Sequence, residues 1–202
     1  MSKLIALLAF GALAAGLVAA PAQAAVDPAA APSAKTLYDE GPSGRYLVDG
    51  PWLRRLDPLN IGLLGRWQSG ASVTGWDSVS VPNAWNATDD SLTSYFGSVG
   101  WYRRDFKLPS AAADTAWVMR FEEVNFAATV WLNGTKIGSH EGAYMPFELR
   151  LPKNLVKRGA VNRLVVRVDS RRTINDLPPS ERDARGKALG GWWNYAGILR
   201  EV

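Results

Sequence analysis

The stretch ATVWLNGTKIG, residues 128–138, decides the fold class. Alternate residues from Ala128 to Leu132 are apolar, so in an extended chain they lie on one face. Asn133 and Gly134 follow at once and supply the two positive-φ positions of a type I′ turn, which is the strongest short-range signal for a hairpin. The stretch therefore predicts two antiparallel strands joined by a two-residue turn.

The same alternation recurs on both sides of this hairpin, and Gly, Pro, Asn and Asp punctuate the intervals. Each alternating set fits a strand with one buried face, and no convincing stretch has a helical period. Strands at short spacing without covering helices indicate an antiparallel all-β sandwich or barrel, and we favour the sandwich. The sets are Tyr102, Phe106 and Leu108, with Arg104 among them; Phe147, Leu149 and Leu151; and Leu164, Val166 and Val168.

The first 24 residues are typical of an export signal. Lys3 is followed by an apolar run over residues 4–20, and Ala22-Gln23-Ala24 has the small-x-small pattern of a signal peptidase site. A transmembrane anchor needs about 20 apolar residues and a stop-transfer flank, whereas this run meets Pro21 and no basic cluster follows. We expect cleavage after Ala24, a secreted or periplasmic location, and no membrane partner after cleavage.

The rest of the chain divides into a leader and one domain. Residues 25–45 are rich in Ala and Pro and predict a flexible leader, because such a composition buries little apolar surface. Residues 46–202 are long enough for one well-buried domain and short for two.

Composition excludes several classes of function. The formal net charge of +4 is small and the arginines are scattered, so nothing favours nucleic acid as a partner. The chain has no cysteine, which excludes disulfides and thiolate chemistry. Its one histidine, His140, is a poor metal ligand without a second His or Cys nearby. We therefore predict no metal site and no cofactor.

Two long connections, residues 81–100 and 169–191, are candidates for function, because loops of this length are either functional or disordered. The chain also has nine tryptophans, whose flat rings match the face of a pyranose in a sugar-binding site. Core packing is the alternative explanation, and we expect it for most of them. The tryptophans outside the predicted strands that we retain for sugar binding are Trp85, Trp192 and Trp193.

Four segments resemble, in order and spacing, the N-terminal domain of glycoside hydrolase family 2. They are VPNAWN (residues 81–86), VGWYRRDFKLP (99–109), FEEVNFAATVWLNGTKIGSHEGAYMPFEL (121–149) and WWNYAGILREV (192–202). The resemblance is greatest to the β-glucuronidase and β-galactosidase type. It covers nearly all of the chain after the leader.

The resemblance implies a jelly-roll β-sandwich, similar to galactose-binding domains, that packs against an immunoglobulin-like domain and a TIM barrel. It also implies retaining glycoside hydrolysis by two glutamates about 5 Å apart, both on the barrel. A barrel needs about 250 residues, and this chain lacks the Asn-Glu dipeptide of the family's acid/base glutamate. We therefore predict no catalytic residue here, and interpret the chain as the N-terminal fragment of an exported β-glycosidase acting on a β-glucuronide or β-galactoside.

Within this interpretation, eight residues are candidate sugar contacts. Glu141 either faces the ligand or, with His140, caps amides of its loop. Asp89 and Asp90 are also typical turn formers. Related enzymes place an aspartate where this chain has Gly191, which puts that family contact in doubt. The candidates are Trp85, Asn86, Asp89, Tyr95, Glu141, Trp192, Trp193 and Asn194.

Partners follow from the same interpretation: a carbohydrate, and either the chain's own further domains or a separate barrel-containing protein. A sandwich that packs on other domains exposes apolar surface when alone, so we also expect self-association, with a homo-oligomer as one outcome. Two alternatives stay open. One is a free-standing carbohydrate-binding module without catalysis, and the other is a structural remnant without a ligand.

Overall fold

The computed structural model describes residues 33–35, 44–48, 50–111, 113–189 and 192–202. The predicted signal peptide, most of the predicted leader and Gly191 lie outside these residues. Within the leader, strand β1 (Ser33–Lys35) pairs antiparallel with β2 (Arg45–Leu47).

The remaining elements of the described residues are thirteen strands and one short helix. They are β3 (Gly50–Leu56), β4 (Asp77–Val81), β5 (Asn83–Ala84), α1 (Leu92–Phe96), β6 (Val99–Lys107), β7 (Trp117–Phe121), β8 (Val124–Asn125), β9 (Ala127–Leu132), β10 (Thr135–Glu141), β11 (Phe147–Leu151), β12 (Val161–Asp169), β13 (Glu181–Arg182), β14 (Ala188–Leu189) and β15 (Gly197–Ile198). In the described part of the chain, no helix is long and apolar enough to cross a membrane.

The largest sheet has six antiparallel strands in the order β10-β9-β12-β6-β3-β4. The predicted hairpin joins β9 to β10, and Leu132 pairs with Thr135 across its two-residue turn. Asn133 has φ 51° and Gly134 has φ 86°, as a type I′ turn requires. The hairpin prediction is confirmed, and β10 runs on through His140 and Glu141, which were expected in a loop.

Two smaller sheets, β7-β11 and β5-β15-β8, form the second layer. The main core lies between the layers, where the predicted alternating residues of β6, β9 and β12 meet those of β7, β8, β11 and β15. Phe121 stacks on Phe147 at a centroid distance of 4.8 Å, and Ile198 of β15 is fully buried. These layers confirm the predicted all-β jelly-roll sandwich.

The outer face of the large sheet is buried as well, although the alternation predicted only one buried face for each strand. Residues 57–76 cross this face in a series of turns and pack on Trp101, Trp131 and Val165. Trp101 stacks on Trp131 at 5.4 Å, and its indole nitrogen donates to the carboxylate of Asp57 at 2.9 Å. Trp76, Trp101 and Trp131 are therefore buried on this face, and Trp52 is buried in the main core. With Trp67, Trp85 and Trp117 packed against these clusters, most of the tryptophans take part in core packing, as expected.

Candidate functional site

Three connections meet at one end of the sandwich, which we call the loop end. There Val99 pairs with Asp169, and Ala127 pairs with Glu141. The connections leaving these positions are residues 82–98, 142–146 and 170–196, of which 190 and 191 are not described. Because antiparallel neighbours start and finish at the same sheet edge, connections far apart in sequence become neighbours here. All eight predicted site residues lie on or beside these connections, since Glu141 ends β10.

A buried amide network ties the first of these connections to the third. Asn86 donates to the carbonyl of Asn194 at 2.7 Å and to the hydroxyl of Ser94 at 3.0 Å. Asn194 in turn donates to the carbonyl of Ser170 at 2.8 Å and accepts a hydrogen bond from Asn125 at 3.1 Å. Asn125 also donates to the carbonyl of Tyr195. One network of amides therefore links the first connection, the third connection and β8.

Asn86 and Asn194 lie beneath the surface, with 3% and 0% of their area exposed. The carbonyl oxygen of the Asn86 side chain accepts the Ala196 amide at 2.8 Å, so both ends of this side chain are bonded within the protein. The structure thus gives the two asparagines a positioning role toward residues 192–196. Their predicted contact with a sugar stays a prediction.

Tyr95 anchors the first connection to the third. It is the buried residue of α1, and its hydroxyl donates to the carbonyl of Leu189 at 3.2 Å. Its ring meets the edge of Trp193 at 5.8 Å and of Phe96 at 5.0 Å. Tyr95 and half-buried Trp193 therefore form the packed base of the loop end.

Above this base lies an exposed aromatic pair, Tyr144 and Trp192. Their ring centroids are 6.3 Å apart, and 48% of Tyr144 and 60% of Trp192 is exposed. Tyr144 has φ 66°, a left-handed conformation that is unusual for a residue with a large side chain. Met145 and Tyr195 are exposed at the same end. Flat apolar rings open to solvent are the kind of surface on which a pyranose face stacks.

Arg172 is a buried cation at the loop end, with 7% of its area exposed. Its Nη1 donates to the carbonyl of Pro178 at 3.0 Å, while Nε and Nη2 are buried and have no acceptor among the described residues. Burial lowers the pKa of Arg172, and the nearby Tyr144, Tyr95 and Asp176 act against this effect. The guanidinium therefore retains unused hydrogen-bonding capacity.

The other predicted candidates differ in their surroundings. Asp89 is exposed and accepts the Ser91 amide at 3.0 Å, and this hydrogen bond lowers the pKa of Asp89. Glu141 is exposed at the end of β10. Trp85 is half-buried against the main core, with its ring 6.3 Å from that of Tyr102. Asp89 thus serves the turn before α1, and Trp85 contributes to packing.

His140 packs through its ring, and its buried Nε2 has no hydrogen-bond partner among the described residues, so the predicted local hydrogen bond is not formed at this atom. Its ring stacks on Phe147 at 4.4 Å and 11°, which continues the stack from Phe121. Among the residues that the structure describes, none forms a cluster able to hold a metal ion.

The two acidic residues at the junction between β7 and β8 are engaged in ion pairs. Glu122 binds Arg120 at 2.8 Å and also Arg45, whereas Glu123 lies 3.3 Å from Arg200.

A cavity of about 390 Å³ lies near these strands, beside Phe106, at the opposite end of β6 from the loop end. It contains none of the predicted site residues.

Four loop-end residues were not predicted: Asn125, Tyr144, Arg172 and Tyr195. Tyr144 and Tyr195 stand in segments that the resemblance had already singled out. Tyr144 follows Gly142 by two residues and Tyr195 follows Asn194 directly, and an aromatic just after a Gly or Asn in such a segment is the signal that could have identified them. Arg172 follows another arginine in a polar connection, so its burial has no sequence signal.

Comparison with protein families gives a match over the whole predicted domain. The model described as "Glycosyl hydrolases family 2, sugar binding domain" matches residues 46–202. Among curated relatives, the β-glucuronidase of Canis lupus familiaris is 33% identical over 192 residues, covering 81% of this chain and 29% of the relative. The β-glucuronidase of Paenibacillus borealis is 27% identical over 168 residues, covering 77% and 28%.

Solved structures give the same result. Lactobacillus rhamnosus β-glucuronidase matches with a TM-score of 0.65 and 30% identity, over 77% of this chain and 27% of that one. Ruminococcus gnavus β-glucuronidase in complex with D-glucuronic acid matches with a TM-score of 0.62 and 28% identity, over 77% and 28%. The chain therefore spans less than a third of the length of these relatives.

Proposed function

Since the chain belongs to the sugar-binding domain family of glycosyl hydrolases family 2, we propose that it binds a sugar at its loop end as the N-terminal accessory domain of a retaining β-glycosidase. The single observation that carries the proposal is the exposed pair of Tyr144 and Trp192, held above the buried amide network. A pyranose face stacks on such rings, and the network fixes residues 194–196, which directly follow the Trp192–Trp193 pair, without the sugar having to order them.

The proposed substrate of the whole enzyme is a β-glucuronide, with a β-galactoside as the alternative. The relatives named above are β-glucuronidases, and one solved relative holds D-glucuronic acid, which supports the first choice. The chemistry proposed for the whole enzyme is retaining hydrolysis by two glutamates outside this domain. The domain shapes the sugar site rather than cleaving the bond.

Calorimetric titration of the 202-residue chain with D-glucuronate, D-galactose and D-glucose tests sugar binding. We expect Trp192→Ala to weaken binding by about tenfold, because stacking on one aromatic ring contributes about 1 kcal/mol or more. Leu177→Ala is the matched control, since Leu177 is 83% exposed on the same connection. Equal affinities for the wild type and Trp192→Ala would contradict the assignment of the aromatic pair.

A free-standing binding module is the second candidate function. The intact mass of the native protein, recovered from its source, separates the two. A mass far above 22.0 kDa supports the accessory-domain proposal, and a mass at or below 22.0 kDa supports the module.

Export is proposed from the sequence of residues 1–24. Amino-terminal sequencing of the native protein is expected to begin at Ala25. A native chain that retains Met1 or Ser2 would show that no signal peptide has been removed.

A further inference from the structure

The cavity beside Phe106 lies at the far end of the sandwich from the proposed sugar site, and the main core forms part of its wall. It is lined by β2, the end of β6, β7, β11 and residues 201–202. The buried members of the main core that line it are Val48, Phe106, Met119, Leu151 and Val202. Much of its inner surface is therefore apolar.

The size of this cavity is that of a small-molecule site. Protein interiors are close-packed, and voids much larger than a water molecule are few. A volume of about 390 Å³ lies within the range of about 300–1,000 Å³ that is typical of ligand pockets. Water finds few hydrogen-bonding partners against an apolar wall, so an apolar ligand that displaces it is stabilised there.

Charged side chains of the lining reach the solvent and mark the mouth of the cavity. Arg120 and Glu148 both line it, and their side chains are 40% and 54% exposed. Val118, between Trp117 and Met119 on β7, is also half exposed. A ligand can therefore enter from solution at this side.

The arginines at the mouth already have counter-ions. Arg120 donates to Glu122 and to Glu148 at 2.8 Å each, and Arg45 also donates to Glu122. An anionic ligand would compete with these glutamates, and a cationic ligand would compete with the arginines. The ion pairs therefore favour a ligand without net charge.

Two aromatic side chains of the lining indicate the shape of that ligand. Tyr46 of β2 and Trp117 of β7 have ring centroids 6.0 Å apart, with their planes at 53°. Both side chains are half-buried, so part of each ring is left uncovered by the protein. Aromatic rings attract a further ring in offset-stacked or edge-to-face contact.

We propose that this cavity is a second binding site, which takes an uncharged aromatic molecule of one or two rings against Tyr46 and Trp117. The apolar walls, the paired charges at the mouth and the two rings all match this class of ligand. The site is separate from the loop end, so the inference does not depend on the proposed sugar binding.

The experiment is calorimetric titration of the 202-residue chain at pH 7 with 2-naphthol, which is uncharged, and with 2-naphthoate, which has the same rings and a carboxylate. We expect saturable binding of 2-naphthol at a stoichiometry of about one. 2-Naphthoate is expected to bind at least about tenfold more weakly, because burial of its charge is not compensated.

Leu108→Trp is designed to fill the cavity. Leu108 lines it and is only half-buried, so a larger side chain can be accommodated. We expect this variant to bind 2-naphthol at least about tenfold more weakly, because the indole takes up the space of the ligand. Leu177→Trp adds the same side chain at a position that is 83% exposed at the loop end, and is expected to bind as the wild type does.

Trp117→Ala guards against loss of folding in Leu108→Trp. It removes one of the two rings, and we expect about tenfold weaker binding of 2-naphthol. Thermal unfolding gives a second readout, because a ligand that binds only the folded state raises the midpoint. 2-Naphthol is expected to raise the midpoint of the wild type and to raise that of Trp117→Ala less.

Three outcomes overturn the inference. They are the absence of saturable 2-naphthol binding by the wild type, equal affinities for 2-naphthol and 2-naphthoate, and unchanged 2-naphthol binding in Trp117→Ala. None of them bears on the sugar-binding proposal, which is tested with other ligands and with a substitution at the opposite end of the sandwich.

Discussion

Asn194 is a buried residue whose hydrogen bonds position the backbone next to the candidate binding surface. Its side chain donates to Ser170 and accepts from Asn125, and its backbone carbonyl accepts from Asn86. These bonds join positions separated by up to 108 residues, and none of the atoms is at the surface. These bonds and those of Tyr195 and Ala196 hold residues 194–196 in place, and Trp192 lies two residues before them.

Asn194→Ala is expected to lower the free energy of unfolding by about 1–3 kcal/mol, because it removes the side-chain hydrogen bond to the buried Ser170 carbonyl and one of the two hydrogen bonds that the buried Asn125 amide donates. Chemical denaturation measures the loss. Asn175→Ala is the control, since Asn175 is exposed, and a change under about 0.5 kcal/mol is expected there. Equal effects of both substitutions would contradict the importance of the network.

Asp105 gives the sandwich a predictable response to acid. Burial raises the pKa of Asp105, but hydrogen bonds from Arg163 and Arg103 outweigh burial and hold this pKa below its ordinary value of 3.8. The folded protein therefore binds fewer protons at this site than the unfolded chain does. Its stabilising contribution is present above the ordinary pKa and is lost as the pH falls through the folded-state pKa.

We expect the free energy of unfolding to decline between about pH 5 and pH 2, and to decline less in Asp105→Asn. The variant is also expected to be less stable at pH 7 by about 1–3 kcal/mol, because its arginines lose a charged acceptor. Denaturation curves across this pH range, with exposed Asp90→Asn as control, provide the measurement. Parallel declines for wild type and Asp105→Asn would exclude this carboxyl as the source.

At the residue level, the sequence motifs predicted which residues gather at the candidate site, but not which of their side chains are buried. Asn86, Tyr95, Trp192 and Asn194 were chosen from the sequence, and the structure brings all of them to one end of the sandwich. Which side chains lie inside depends on partners remote in sequence. Arg172 was missed for the same reason.

At the scale of elements, the segment over residues 57–76 is the main feature that the sequence did not predict. Its apolar residues do not recur with the spacing of a strand or a helix, because the segment crosses the sheet as a series of turns. Alternation in β6, β9 and β12 correctly predicted the inner face of the sheet, since period two is a property of the strand itself. The cover on the outer face is a tertiary contact, and only Trp101, Trp131 and Val165 at outward positions hinted at it.

Gly62→Ala is expected to loosen this segment. A Cβ atom at Gly62 would stand 2.5 Å from the indole nitrogen of Trp101 and 2.8 Å from Asp57, and these two groups are buried and hydrogen-bonded to each other. We expect a loss of about 1–3 kcal/mol in the free energy of unfolding. Tryptophan fluorescence during denaturation reports it, because Trp101 lies at the contact.

Gly70→Ala is the matched control on the same segment. There the nearest atom to an added Cβ is the carbonyl oxygen of Arg66, at 3.4 Å. A loss no greater for Gly62→Ala than for Gly70→Ala would show that the segment does not pack tightly on the sheet.

At the scale of the whole molecule, aliphatic side chains are exposed where residues 57–76 begin. Leu59 and Leu64 are 78% and 87% exposed, and Leu56, Ile61 and Leu63 are each more than 40% exposed. Five such side chains within nine residues form an aliphatic strip, and contiguous apolar surface favours association. The strip gives a structural location for the self-association expected from the sequence.

We expect the isolated chain to self-associate at high concentration. The double substitution Leu59→Ser with Leu64→Ser is expected to shift the chain toward monomer, because it removes the two most exposed apolar side chains of the strip. Sedimentation velocity measures the change. Leu177→Ser, at the loop end, is expected to leave association unaltered. A monomeric wild-type chain at high concentration would contradict the prediction.

The place of β15 constrains when the sandwich can form during synthesis on the ribosome. This strand lies between β5 and β8, which precede it by some 70–110 residues, and its Ile198 fills the core between the layers. Until residues 197 and 198 have emerged from the exit tunnel, β5 and β8 have no common neighbour and the core is open to water. Formation of this core consequently waits for the last residues of the domain, and chaperones that shield apolar strands would act on the chain up to that moment.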